Sequence, residues 1–138
     1  MNASRNSLIE ACTAGSLAGT LTFPEVIGRL IEIGVERYHA DYSRGEITYY
    51  LADGASLVVA APHPDHPTAD AFDTVSVEAA VRQSQRNEHT YHDFVRKTMG
   101  AGCVGYFVQI AGRRVLYFGR RGECHVEHFP PAAPARTP

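Results

Sequence analysis

The sequence predicts an α+β domain made by internal duplication: a helix-helix-three-strand meander unit, present twice about a pseudo-two-fold axis, with antiparallel sheet packed against helices. Three observations predict it. Residues 9–60 lie over residues 77–128 at a constant offset of 68, without a gap and with nine identities. The matches fall on structural punctuation, among them Thr22/Thr90, Gly34/Gly102 and Gly54/Gly122. Helical spacing precedes each of Gly34 and Gly102, and runs of β-branched and aromatic residues follow them.

Taken in order, Ser7-Leu-Ile-Glu10 has a capping-box pattern and opens a helix expected over 8–18. Thr22-Phe-Pro-Glu25 is a second such box with proline in the first turn, and apolar residues at 26, 27, 30 and 31 continue the helix. Gly34 sits where a left-handed C-cap would end it. Three extended stretches follow, over 35–42, 46–52 and 56–60, with Asp53-Gly54 as a turn. The linker 61–75 carries three prolines, which exclude a helix or a central strand. The second unit then repeats the pattern: a helix over 77–87, the box Thr90-Tyr-His-Asp93, apolar positions 94, 95 and 99, Gly102, and strands over 103–110, 113–119 and 124–128. One domain over 1–129 is expected, from repeats at about 8–60 and 76–128, and the proline-rich tail 130–138 is expected to be disordered.

Composition excludes several classes. The chain has 138 residues, 44% hydrophobic and 20% charged, which suffices for one core without a disulfide or metal. A net charge of −2 argues against nucleic acid as a partner. Three cysteines without C-x-x-C spacing argue against a disulfide framework or a cysteine-rich zinc site. No apolar run is long enough for a membrane span, and Glu10 interrupts any export signal, so a cytoplasmic protein is expected. Charge splits with the repeat. Residues 1–74 carry four basic and ten acidic side chains, and residues 75–138 carry nine and five. Docking of the halves on each other is the expected reading of that asymmetry.

The segments GVERYHADY, ITYYLADG, VEAAVRQSQ with YHDF, and YFGRRGECHVEHFP resemble a family of small bacterial and prophage-borne proteins of unknown function, often labelled "phage envelope protein". The resemblance covers roughly residues 20–130. It implies a bacterial or phage origin and a compact α+β fold, and it supplies no catalytic residues. The word "envelope" agrees poorly with a sequence lacking any membrane segment.

Candidate chemistry comes from strand alternation. Along 35–42 one face carries Val35, Arg37, His39 and Asp41, and the other Glu36, Tyr38, Ala40 and Tyr42. In the second repeat Cys103, Gly105, Phe107 and Gln109 share a face, opposite the apolar Val104, Tyr106, Val108 and Ile110. By the repeat, Glu36 and Tyr38 are expected to face the core or its rim, where a glutamate can serve as acid or base. Arg37-x-His39-x-Asp41 sets a cation, an imidazole and a carboxylate on the outer face, suited either to an anionic substrate group or to ordinary ladder salt bridges. Because the matching face of the second repeat is partly apolar, the outer face is also a candidate contact surface for a second protomer. His125-x-Glu127 pairs an imidazole and a carboxylate for acid–base work, or offers two metal ligands with His39 as a third. Tyr38, Tyr49, Tyr106 and Tyr117 fall on strands, as cross-strand packing or as phenols lining a pocket.

The function expected is therefore small-molecule binding in a pocket between the repeats, with cofactor-independent acid–base chemistry of the isomerase, dehydratase or cyclase type. The catalytic candidates are Glu36, Tyr38, His39 and His125; the ligand-binding candidates are Arg37, Asp41, Tyr49, Tyr106, Tyr117 and Glu127. No cofactor and no metal is assigned. A non-catalytic, phage-related interaction module is the alternative, and a His/Glu metal enzyme a second one. The partners expected are a small ligand and a second copy of the chain, with neither nucleic acid nor membrane.

Overall fold

The computed structural model describes residues 2–129, with side chains from residue 4 onward, so the tail over 130–138 lies outside the described residues. Four helices and six strands follow the order expected: α1 (Asn2–Ala18), α2 (Phe23–Ile33), β1 (Val35–Asp41), β2 (Glu46–Leu51), β3 (Ser56–Ala60), α3 (Thr74–Gln85), α4 (Tyr91–Gly100), β4 (Cys103–Gln109), β5 (Arg114–Gly119) and β6 (Cys124–His128). The strands form one sheet in the order β3-β2-β1-β4-β5-β6, with every neighbouring pair antiparallel. The α+β fold and the helix-helix-strand repeat are thus as the sequence indicates. Among the described residues, no helix is long and apolar enough to cross a membrane.

The two meanders meet edge to edge at β1 and β4. There His39 pairs with Phe107, and these two residues are equivalents at the offset of 68. The pseudo-two-fold axis therefore passes between them, and their rings stack 4.7 Å apart at 11°. Backbone specials repeat as well. Positive φ occurs at Gly19 and Asn87, Gly34 and Gly102, Gly45 and Arg113, and Gly54 and Gly122, each pair separated by 68 residues. Asparagine tolerates the left-handed region better than most side chains.

Both capping boxes form. The Thr22 hydroxyl accepts from Glu25 N–H at 3.3 Å, and the Glu25 carboxylate accepts from Thr22 N–H at 2.8 Å. Thr90 and Asp93 do the same at 3.1 and 3.3 Å. Two helix starts differ from expectation. Ser7 lies inside α1, which runs from Asn2, so the Ser7–Glu10 pattern does not start the helix. Helix α3 begins at Thr74 because Asp73 caps it, its carboxylate accepting from both N–H and O–H of Ser76.

Strand alternation needs one correction. β1 carries a bulge between Val35 and Arg37, and β4 an equivalent one between Cys103 and Gly105. An extra residue on one strand resets the alternation beyond it. Val35 and Cys103 consequently turn into the core, not onto the outer face. Glu36 is the displaced residue: it is half-exposed and ion-paired with Arg37 instead of facing inward with Tyr38. The inward face carries Val35, Tyr38, Ala40, Ile47, Tyr49, Val108, Val115 and Tyr117, and with apolar residues of all four helices it makes a single core. The outward face, which no helix covers, carries His39, Thr48, Tyr50, Phe107, Leu116 and Phe118.

Candidate functional site

A cavity of about 320 Å³ opens on the helix side of the sheet, between the two repeats. Its floor is Tyr38, Tyr106, Val108, Val115 and Tyr117; the end of α1 and the start of α2 wall one side, and the end of α3 and the start of α4 the other. Small-ligand sites commonly occupy ~300–1,000 Å³ and are mostly apolar with a few directed polar groups. The walls differ. Both repeats supply apolar side chains, among them Leu21, Phe23 and Val26 and then Val81, Phe94 and Val115, whereas Ser84, Gln85, His89, Tyr91 and Glu127 of the second repeat outnumber the polar Ser16, Thr22 and Tyr38 of the first. A second groove of about 610 Å³ between α1 and α2 is lined by Arg5, Leu8, Arg29 and Glu32, and includes none of the tyrosines.

The tyrosines are the chief polar feature of the floor. Tyr91 and Tyr106 share a hydrogen bond of 2.8 Å. The Tyr106 and Tyr117 rings lie 5.6 Å apart, and both meet Phe94 edge-on. Tyr38 and Tyr117 are almost fully buried, yet their hydroxyls have no hydrogen-bond partner among the described residues. Neither hydroxyl is among the sealed, unpaired polar atoms, and both residues line the cavity. Burial pushes the pKa of Tyr38, Tyr106 and Tyr117 far above that of free tyrosine, with the neighbouring phenols and thiols as lesser causes. Tyr91 is pushed up to about 12 by burial. All four phenols stay protonated at neutral pH and are donors.

At one end of the cavity, β6 and α3 hold an ionic cluster. Glu127 is buried on an inward position of β6; Arg82 donates to its Oε1 at 3.0 Å, and His125 meets its Oε2 at 2.6 Å. Arg82 also reaches Glu78 at 3.4 Å, and the His125 ring lies over Tyr117 at 6.4 Å. The Arg82 guanidinium offsets the cost of burying the Glu127 carboxylate. Glu78, His125 and Glu127 each offer an atom within 4.8 Å of the others, a three-ligand set. The Arg82 guanidinium already supplies the positive charge there, so a metal would have to displace it. On the other wall, Lys97 donates to Nδ1 of His89 at 2.9 Å, which leaves Nε2–H to donate to Ser84 at 2.7 Å. Burial and then the Lys97 charge lower the His89 pKa, so this imidazole is neutral at pH 7.

Of the residues singled out from the sequence, Tyr38, Tyr106, Tyr117 and Glu127 line the cavity, and His125 is bonded to Glu127. Tyr49 packs against Tyr38 at 5.1 Å, but its hydroxyl is spent on Thr13 at 2.7 Å. Arg37, His39 and Asp41 lie on the opposite, open face. There Arg37 stacks on Tyr50 at 4.4 Å and Asp41 accepts from the Ser43 and Arg44 N–H groups. The sheet therefore separates His39 from Tyr38 and His125, so His39 cannot complete a metal set with His125 and Glu127, and the bulge leaves Glu36 at the rim beside Arg37. Sequence reasoning missed Tyr91, Arg82 and His89. Tyr91 was visible as the polar member of the Phe23/Tyr91 pair, and His89 as the polar member of Leu21/His89. The paired arginines at 120 and 121 hold the linker: they donate to the Thr68 and Asp70 carbonyls at 3.2 and 3.0 Å.

A family model described as a protein of unknown function, DUF1398, matches residues 17–128. The chain belongs to this family. Curated relatives include uncharacterized proteins of Mycobacterium tuberculosis and Mycobacterium bovis, each 28% identical over 65 residues, which is 47% of this chain. The match spans 40% of each relative's length. In this DUF1398 member the matched region runs from the end of α1 through β6 and so takes in nearly all of the cavity wall.

Proposed function

We propose that the protein binds a small, largely apolar molecule in the inter-repeat cavity and performs cofactor-independent acid–base chemistry on it, in the cytoplasm. One observation carries the reading: a cleft of ligand size between the repeats has a largely apolar lining and a few polar groups, most of them from the second repeat. Hydrophobic burial would supply affinity, and the few polar groups would set orientation. His125 and Glu127, 2.6 Å apart, are the pair suited to moving a proton, and Arg82 holds the carboxylate in place. Native mass spectrometry of the purified protein tests the binding. A retained mass of a few hundred daltons is expected, lost in Ser84→Trp, which puts an indole into the wall. A bare chain that shows no thermal shift with any member of an apolar ligand library would overturn it.

The open sheet face favours a second reading, a surface for contact with another copy or another protein. Val58 and Val126 are 53% and 39% exposed at its margins, with Phe107 and Leu116 between them on the same row. Sedimentation of the wild type and of Leu116→Lys tests it. A dimer dispersed by the lysine would support an interaction role, and a monomer at every concentration would remove self-association.

A further inference from the structure

The repeat explains why two hydroxyls of the cavity floor are free. In the first repeat, Thr13 donates to the Ile9 carbonyl and is left to accept from Tyr49 at 2.7 Å. The second-repeat equivalents are Val81 and Tyr117, and valine offers Tyr117 nothing to bond. In the second repeat, Tyr91 meets Tyr106 at 2.8 Å. The first-repeat equivalents are Phe23 and Tyr38, and the Phe23 ring instead packs edge-on against Phe129 at 5.8 Å. Each repeat thus lacks one partner that the other has, and each difference leaves a phenol of the same cavity without a protein partner. A buried hydroxyl without a partner costs stability. Two such phenols at one cavity are donors that a bound acceptor can take up.

We infer that Tyr38 and Tyr117 form an acceptor-recognition subsite, and that the ligand class is an apolar, ring-containing compound bearing a carbonyl or phenolate oxygen, which takes hydrogen bonds from these phenols. This rests on the cavity reading above and adds the chemistry of the ligand to it. The apolar wall of Leu21, Phe23 and Val26 receives the ring, and the phenols receive the oxygen. Donors fixed in a water-poor site favour developing negative charge on that oxygen. That is the requirement of enolate chemistry beside a His125–Glu127 pair.

Two probes of nearly equal shape test it: acetophenone, which carries the acceptor oxygen, and cumene, which lacks it. Titration calorimetry is expected to show tighter binding of acetophenone, and infrared spectra a lowered carbonyl stretch in the bound state. Tyr38→Phe and Tyr117→Phe should each weaken acetophenone by about fivefold while leaving cumene unchanged. Val81→Thr, which restores the partner that Tyr49 enjoys, should weaken acetophenone without removing a phenol. If the two probes bind equally, or the carbonyl stretch does not move, the subsite is overturned and the cavity reading stands. If neither binds, both fall.

Discussion

At the place where Thr13 satisfies Tyr49 in the first repeat, Val81 faces Tyr117 in the second. The same backbone thus carries two kinds of chemistry. Bulges, left-handed turns and capping boxes occur twice, at equivalent positions. Of the side chains around the cavity, only some recur, such as Thr22/Thr90 and Tyr38/Tyr106. Leu57 and Val59 of β3 correspond to His125 and Glu127 of β6, and Leu21 corresponds to His89. The first repeat remains an apolar half-core, and the second holds most of the polar groups. Duplicated backbone geometry preserves the fold, because turns and caps demand particular residues. The wall positions carry no such demand and are free to diverge.

The linker sharpens this contrast, because it closes over Gly102 of the second repeat and leaves the equivalent Gly34 of the first open. Asp73 N–H donates to the Ala101 carbonyl at 2.8 Å, bringing the chain over Gly102. A Cβ at Gly102 would lie 2.3 Å from the Ala71 carbonyl oxygen, whereas one at Gly34 would meet nothing within 4 Å. Both glycines have positive φ. Gly102→Ala is expected to cost about 3 kcal/mol or more, through clash as well as strain. Gly34→Ala is expected to cost about 1 kcal/mol, from backbone strain alone. Urea unfolding measures both, and equal losses would break the comparison.

The hydroxyl exchange comes next in size. Thr13→Val strands the Tyr49 hydroxyl in the core and is expected to cost about 2 kcal/mol. Val81→Thr on the other side should cost less, about 1 kcal/mol or under, since the new hydroxyl gains Tyr117 as a partner in place of a methyl. If both changes destabilise alike, the two tyrosines are not differently satisfied. The caps are the symmetric control: Thr22→Ala and Thr90→Ala should each cost about 1 kcal/mol, within error of each other.

The smallest effect is one of pH. His89 has a folded pKa below its unfolded value, so the unfolded chain takes up a proton first as pH falls. Its contribution to stability is complete above about pH 6.5 and is lost as pH falls through the lowered folded value. His89→Leu, which copies Leu21, should flatten the stability profile between about pH 7 and pH 5. An unchanged slope there would assign it to other groups.

Much of the fold was legible because short-range rules govern it. The gapless offset of 68, the boxes at Thr22 and Thr90, and glycines 34 and 102 carry their own local physics, and apart from the starts of α1 and α3 the elements lie near their expected ranges. Ser7 shows the limit: a capping pattern inside a longer helix has no free N–H to satisfy. The site was half legible. Tyr38, Tyr106, Tyr117, His125 and Glu127 are named by residue type and strand position, and they gather at the cavity. Glu36 and His39 are not part of it, because one bulged residue moves Glu36 to the rim and the sheet plane stands between His39 and the helices. The sequence by itself determined the repeat unit, its helices, turns and strands, since each depends on residues a few positions apart. Only the tertiary structure decided that β1 pairs with β4, that the cavity lies on the helix side, and which phenols lose their partners. Those outcomes depend on contacts between residues tens of positions apart, which no local pattern encodes.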